Sequence, residues 1–351
     1  MTFRMPAEWE THERTLMCWP CRESSWGHTL EQGRREFAAV ANAIAGFEPV
    51  TMVAQTAEQA AQARSMLTGN IDVVVRPMDG SWLRDNGPMF VTDGQTRRAR
   101  HFRFNAWGER HAQRDRDARL GRTLAEDLGD EVDFIDLVLE GGAVSIDGAG
   151  TMVAPEGCVM HESRNWDMTR DAVEAQIKAA LGLHRIIWLG QGLAEDSVRD
   201  PARLYYGTDG HADLFLAFIG ENRALMLKSP DDDPNAPQLA LSRATLQAGG
   251  VEVVDFPYMS GFMDDGNWII APYMNFYFCN GGVIVPVAGE EPDKDQEALG
   301  FLSRIFPGRQ VVGVALRAGP RQGGAIHCMT MQVPARPSAT TRSGTPSEIG
   351  R

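Results

Sequence analysis

The sequence predicts an α/β fold laid out as one continuous domain. Three observations carry that reading. Short β-rich runs recur along the whole length, amphipathic helical segments lie between them, and no Pro- or Ser-rich linker interrupts the middle of the 351-residue chain. A chain of this length suits one large domain or two ordinary ones, and the missing linker favours one.

The first amphipathic segment is Leu30–Phe47, where Phe37, Val40, Ala41 and Ile44 share one helix face. The strand candidate Val50–Ala54 follows, then a helix over Ala57–Leu67 and a strand over Ile71–Arg76. Strands Met89–Thr92 and His101–Asn105 precede the helix Ala112–Leu128, and Phe134–Val138 follows it. Helix Thr169–Leu181, with Val173, Ile177 and Leu181 in register, leads to strand Arg185–Leu189. Strand Leu214–Ile219 comes before helix Gln238–Ala248 and strand Val251–Phe256.

The longest apolar-looking stretch, Trp268 to Val287, contains Pro272, Asn275, Asn280, Gly281, Gly282 and Pro286. It cannot form the uninterrupted helix of roughly 20 residues that a membrane requires. It reads as strands near Ile269–Tyr273 and Gly282–Pro286, with Asn280-Gly281 as a hairpin turn. Helix Gln296–Ile305 and strands Val311–Leu316 and Ile326–Val333 complete the pattern. Several strands per helix favour a radial or layered arrangement over a one-strand-one-helix barrel. Residues 334–351, rich in Pro, Ser, Thr, Gly and Arg, are expected to be a disordered tail, which leaves 1–333 as the folded domain.

Hydrophobic residues make up 43% of the chain and charged residues 23%, so a sizeable core is available and global disorder is excluded. With 47 acids against 34 bases the net charge is −13. Such a surface repels phosphate backbones, which argues against a nucleic-acid partner, and it attracts small cations. Residues 1–14 carry no apolar h-region, so no signal peptide is expected. Five cysteines, an odd number, then suggest reduced thiols and a cytoplasmic setting.

Several segments concentrate chemistry-bearing residues. In Gly323-Gly324-Ala325-Ile326-His327-Cys328 two glycines let the backbone turn or approach a ligand, and the following strand would present Cys328 at its mouth. Cys328 reads either as a thiolate nucleophile or as a buried structural cysteine. In Gly207-Thr208-Asp209-Gly210-His211-Ala212-Asp213 a strand would point His211 and Asp213 to the same face, as a proton-transfer pair. A metal half-site or a self-capped loop are the alternatives, and no second His/Cys cluster with metal spacing appears. Trp82, Arg84 and Asp85 lie in a turn-rich segment from Met78 to Pro88, where a carboxylate could match a guanidinium fork and a Trp face could hold a cation; a solvated turn with a surface Arg84 pair is the bland reading. Glu140 precedes another Gly-Gly. Cys18-Trp19-Pro20-Cys21 has redox spacing, but Arg22-Glu23-Ser24-Ser25 does not open a helix directly after it, so coincidence is favoured.

Taken together, these segments resemble the agmatine deiminase family of the guanidine-modifying (pentein) superfamily. The likeness spans Met5–Glu10 with His12–Thr15, Trp82–Pro88, Phe104–Gly108, Leu139–Gly142, Thr208–Asp213, Tyr273–Phe276 and Gly323–Thr330. It implies a five-fold pseudosymmetric α/β propeller of ββαβ-type units with a central active site and no cofactor or metal. It implies Cys328 as nucleophile, His211 as acid/base, Asp85, Glu140 and Asp213 as guanidinium-binding acids, Trp82 as a pocket wall and Asn275 near the reacting centre. Ala325, Met331, Cys18 and Cys21 depart from the family's usual pattern. The implied partner is a small cationic guanidine, agmatine foremost, with a homodimer as the family's assembly. Free or peptidyl arginine would call for an extra Arg, for which Arg164, Arg103 and Arg14 are candidates. A papain-like thiol hydrolase and a non-catalytic polyamine- or guanidine-binding protein are the readings from other classes.

Overall fold

The computed structural model describes residues 2–197, 207–259, 261–264 and 267–336. Its strands form six sheets among the described residues. Strands β1 (His12–Cys18), β2 (Val50–Ala54) and β3 (Ile71–Val75) lie parallel in the first. The second holds β4 (Met89–Thr92), β5 (Arg97–Arg103) and β6 (Glu131–Val138). The third holds β7 (Ser145–Ile146), β8 (Thr151–Pro155) and β9 (Arg185–Leu189), and the fourth β10 (Leu216–Gly220), β11 (Arg223–Leu227) and β12 (Glu252–Phe256). A separate hairpin pairs β13 (Gly261–Asp264) with β14 (Asn267–Ile270). The last sheet joins β15 (Tyr277–Cys279), β16 (Gly282–Val287) and β17 (Gln310–Ala315) across the expected Asn280-Gly281 turn.

One pattern repeats. In each three-stranded sheet the first two strands are antiparallel, and a helix carries the chain to a third strand parallel to the second. The final strand, β18 (Thr330–Pro334), gives the first sheet the same pattern by pairing antiparallel with β1. Both ends of the fold are thereby joined in one sheet.

The helices form where the apolar spacing places them. Helix Leu30–Ala45 buries Phe37, Val40, Ala41 and Ile44, and helix Arg170–Leu181 buries Val173, Ile177 and Leu181. Thr56 and Thr169 cap their helices by accepting from the amides of Gln59 and Ala172. The helix expected from Gln296 starts earlier, at Pro292, because proline is at home in a first turn whose N–H groups have no partner. The helix expected from Ala112 starts only at Asp117. Asp117 instead accepts from the amides of Asp79 and Gly80, which ties this end to the turn before Trp82.

Apolar clusters bridge successive sheets. One joins the second sheet to the third, another runs from the third through the fourth to the last, a third links the last to the first, and a fourth links the first to the second. Residues 334–336, expected in the tail, belong to the fold: β18 runs to Pro334, the Ala335 amide donates to Thr11, and Arg336 pairs with Asp130 at 3.0 Å. Residues 337–351 lie outside the described residues. No helix among the described residues is long and apolar enough to cross a membrane.

Candidate active site

Cys328 does not sit at the mouth of a strand, as the sequence suggested. Residues Ile326–Met329 form a single helical turn and the strand begins at Thr330. Thr330 Oγ1 donates to the carbonyls of Ile326 and His327, and Asn275 Oδ1 accepts the amides of His327 and Cys328. These bonds favour a tight turn over an extended ladder. The expectation that His211 and Asp213 alternate along a strand also fails. Ala212–Leu214 is a 3-10 turn, held by Asp196, which accepts from the amides of Thr208, Gly210 and His211. The two side chains converge nonetheless.

The Cys328 sulfur lies 3.5 Å from Asp213 Oδ2 and receives the Asn275 amide hydrogen at 3.4 Å. His211 Nδ1 is 3.8 Å from Asp85 Oδ1, which accepts the Gly142 amide at 3.0 Å. Gly142 lies among all three groups. A Cβ there would stand 2.6 Å from His211 Nδ1 and 2.9 Å from both Asp85 Oδ1 and Asp213 Oδ2. Glycine is required at this point by close approach.

The electrostatics follow from enclosure. Burial, then Asp213 and Asp85, push the Cys328 thiol well above its ordinary range. Burial also opposes a charge on His211, but Asp85, Cys158 and Asp213 outweigh it and hold the imidazole protonated well above its usual range. Burial raises Asp85, with His211 and Trp107 pulling the other way. Burial would raise Asp213 too, but His327 outweighs it and keeps the carboxyl below its usual range.

Glu140 is buried close by, and its two oxygens share the Arg164 Nε–H at 2.9 and 3.0 Å. Arg164 is buried and its charge is matched by Glu140 and Asp209, with Nη2 donating to the Thr208 carbonyl, so it is a poor anchor for a substrate carboxylate. Arg103 pairs with Asp136 and Arg14 with Glu13. Glu140, Cys158 and His211 place ligand atoms within 4.8 Å of one another, the one grouping of potential metal-binding side chains among the described residues. The Arg164 cation on Glu140 opposes a metal there.

A cavity of about 470 Å³ opens onto Cys328 and Asp85. Trp82 lines it, stacked on Trp26 with centroids 5.8 Å apart. Gly324 leaves room for that ring, because a Cβ would meet it at 2.5 Å. Cys18 and Cys21 are buried free thiols. Burial and Asp117 raise both, Cys21 to about 12, which is opposite to the poise of a redox-active dithiol.

Sequence reasoning left several participants without a role. Trp107 donates its indole N–H to Asp85 Oδ2 at 2.8 Å. Arg84 is buried, not a surface partner of Asp85, and donates to Glu8 and to the His327 carbonyl. His327 bonds Asp213 at 2.9 Å and Glu8 at 3.0 Å. The signals were present, in Asn105-Ala106-Trp107-Gly108 and in the histidine beside Cys328, but no spacing rule links positions so far apart.

The chain is similar to known proteins over nearly its whole length. A relative from Streptomyces coelicolor is 39% identical over 95% of this chain and 99% of its own. The agmatine deiminase of Stutzerimonas stutzeri is 35% identical over 95% of this chain and 96% of its own. The solved structure of the Enterococcus faecalis agmatine deiminase superposes with a TM-score of 0.85 at 29% identity, covering 95% of this chain and 96% of that one. The profile of the Porphyromonas-type peptidyl-arginine deiminases matches residues 4–334, and the chain belongs to that family.

Proposed function

We infer that the protein hydrolyses agmatine to N-carbamoylputrescine and ammonia, with Cys328 as the nucleophile. The observation that carries this is the convergence of the Cys328 sulfur, His211, Asp85 and Asp213 around Gly142. The agmatine deiminases among the relatives support the substrate. The five-fold repetition of one strand-and-helix pattern, with apolar clusters linking each sheet to the next and the last to the first, supports a pseudosymmetric propeller around this site.

A guanidinium is delocalised and protonated near neutral pH, so its carbon resists attack. Asp85 and Asp213 bind its nitrogens and bring the carbon to near-attack distance from sulfur. Glu140 contributes through whatever its bond to Arg164 leaves free. In the empty site Cys328 is a thiol beside carboxylates. The substrate's positive charge reverses that balance, the thiol loses its proton to solvent, and the thiolate attacks the guanidinium carbon. His211, already protonated, gives its proton to the departing nitrogen, and ammonia leaves. The amidino-thioether on Cys328 is then attacked by a water whose proton goes to His211. The C–S bond breaks, the hydroxyl proton passes to the departing sulfur, and the thiol is restored as the ureido product leaves.

Arginine is less favoured as a substrate: Arg164, Arg103 and Arg14 are committed to acids, and of the arginines lining the cavity Arg110 pairs with Asp209 and Arg22 with Asp79. Incubation with agmatine, arginine and a short arginine peptide, with ammonia and ureido product measured, tests the reading. Turnover of agmatine in preference to the others is expected. Turnover of none would favour a binding protein.

A further inference from the structure

We infer that His327 is a standing imidazolium that positions Asp213 and keeps it ionised for the guanidinium. This role rests on the function proposed above, but its physical core does not. An ionised carboxylate has no hydrogen to donate, so an imidazole with a carboxylate on each nitrogen has to bring a proton to both. His327 is so placed: Nδ1 lies 2.9 Å from Asp213 Oδ2, and Nε2 lies 3.0 Å from each Glu8 oxygen. Arg84 Nη1 donates to Glu8 Oε1 at 3.1 Å, which keeps the Glu8 proton away and leaves it to the ring.

The ring is fixed as well as charged. The His327 amide donates to the Asn275 carbonyl at 3.0 Å, and the His327 carbonyl accepts from Arg84 Nε and from Thr330 Oγ1. The charged groups facing it are Glu8 from the amino-terminal segment, Asp213 from the 3-10 turn and Arg84 from the turn after Trp82, with Cys328 as its chain neighbour. Burial and Arg84 oppose the ring's charge, and Glu8 and Asp213 together outweigh them.

Two consequences follow for the site. Asp213 spends Oδ2 on the imidazolium, while its buried Oδ1 has no hydrogen-bond partner and is available to a guanidinium N–H. Asp213 and Asp85 both flank Gly142, and without a nearby cation two such carboxylates would share a proton and lose half their grip. The His327 imidazolium on Asp213 and the His211 imidazolium beside Asp85 together prevent this.

The experiment combines ring spectroscopy with a pH profile. In the wild-type protein labelled with 15N-histidine, the His327 signals, assigned by their loss in His327→Gln, are expected to show two protonated nitrogens through pH 8. The glutamine side chain in His327→Gln can donate one neutral bond to Asp213 but carries no charge, so the Asp213 carboxyl rises. Because binding needs the ionised form, the acid limb of kcat/KM moves to higher pH, by about one unit, with roughly a 10-fold loss at pH values below both limbs that disappears toward neutral pH. Glu8→Gln is expected to move the limb the same way by less. A neutral His327 ring at pH 7, or a His327→Gln profile lowered equally at every pH, would overturn the proposal. If His327→Gln does not fold, the His327 signals are assigned by their change in Glu8→Gln, where loss of ring charge is expected and an unchanged charge overturns the proposal. If the wild type does not turn over agmatine, the function fails while the ring spectrum still tests the charge.

Discussion

Asp85 and Trp107 are joined by an indole-to-carboxylate hydrogen bond of 2.8 Å, made by residues from two different turns. The backbone that delivers the indole is unusual. Ala106, Trp107 and Glu109 have φ values of 58°, 56° and 64°, in the left-handed region that costs a non-glycine residue about 1 kcal/mol or more. Asn105 compensates in part by accepting the Gly108 amide at 2.9 Å. A strained loop that delivers an indole N–H to Asp85 points to orientation of that carboxylate.

Trp107→Phe keeps an aromatic ring and removes the donor. A charge-assisted bond of this kind is worth roughly 1.5–3 kcal/mol, so kcat/KM for agmatine is expected to fall about 10-fold or more. Steady-state kinetics beside a thermal melt would check this. Unchanged kinetics would show that Asp85 needs no help from the indole.

Gly142→Ala should be disproportionately harmful. The added methyl would stand closer than van der Waals contact to His211, Asp85 and Asp213 together. A loss of activity by at least about 100-fold is expected, since a displacement near 1 Å can cost that much. A variant with wild-type kcat/KM would mean the three groups need not stay where they are.

Much of this was legible beforehand, and the reasons are physical. Helix faces such as Phe37-Val40-Ile44 and Val173-Ile177-Leu181 declare themselves through spacing alone. The Asn280-Gly281 hairpin does so through its turn chemistry. Cys328 and His211 were legible as residues but not as elements. Periodicity favours strands there, whereas Asn275 and Asp196 impose turns by taking backbone amides from a distance. Glu8 and His327 stand 319 positions apart, and their contact exists only because β18 returns to β1.

Cys328 in the empty protein should be a slow nucleophile toward iodoacetamide at pH 7. Its thiol is raised by burial and two carboxylates, so the alkylation rate is expected to climb through pH 9 without a plateau. Mass spectrometry of the Cys328 peptide against pH is the check. A plateau below pH 7 would show a thiolate already present and remove the need for substrate charge.

Glu8 makes acid stability a test of the inner network. Burial raises its pKa, but His327 and Arg84 prevail and lower it from 4.5 to about 2. A depressed carboxyl stabilises the fold above the unfolded value near 4.5, and this contribution drains away as pH falls toward 2. Glu8→Gln should therefore lower the Tm most at pH 6–7 and progressively less toward pH 3. A Tm difference constant across that range would mean that Glu8 contributes by packing alone.

The account depends most on Cys328 bonding to the substrate carbon. Rapid acid quench of the wild-type protein during agmatine turnover, followed by intact and peptide mass spectrometry, reads that directly. The expected result is a protein heavier by agmatine less one ammonia, with the added mass on the peptide carrying Cys328 and absent from Cys328→Ala. Undiminished turnover by Cys328→Ala, or an adduct on another residue, would contradict it.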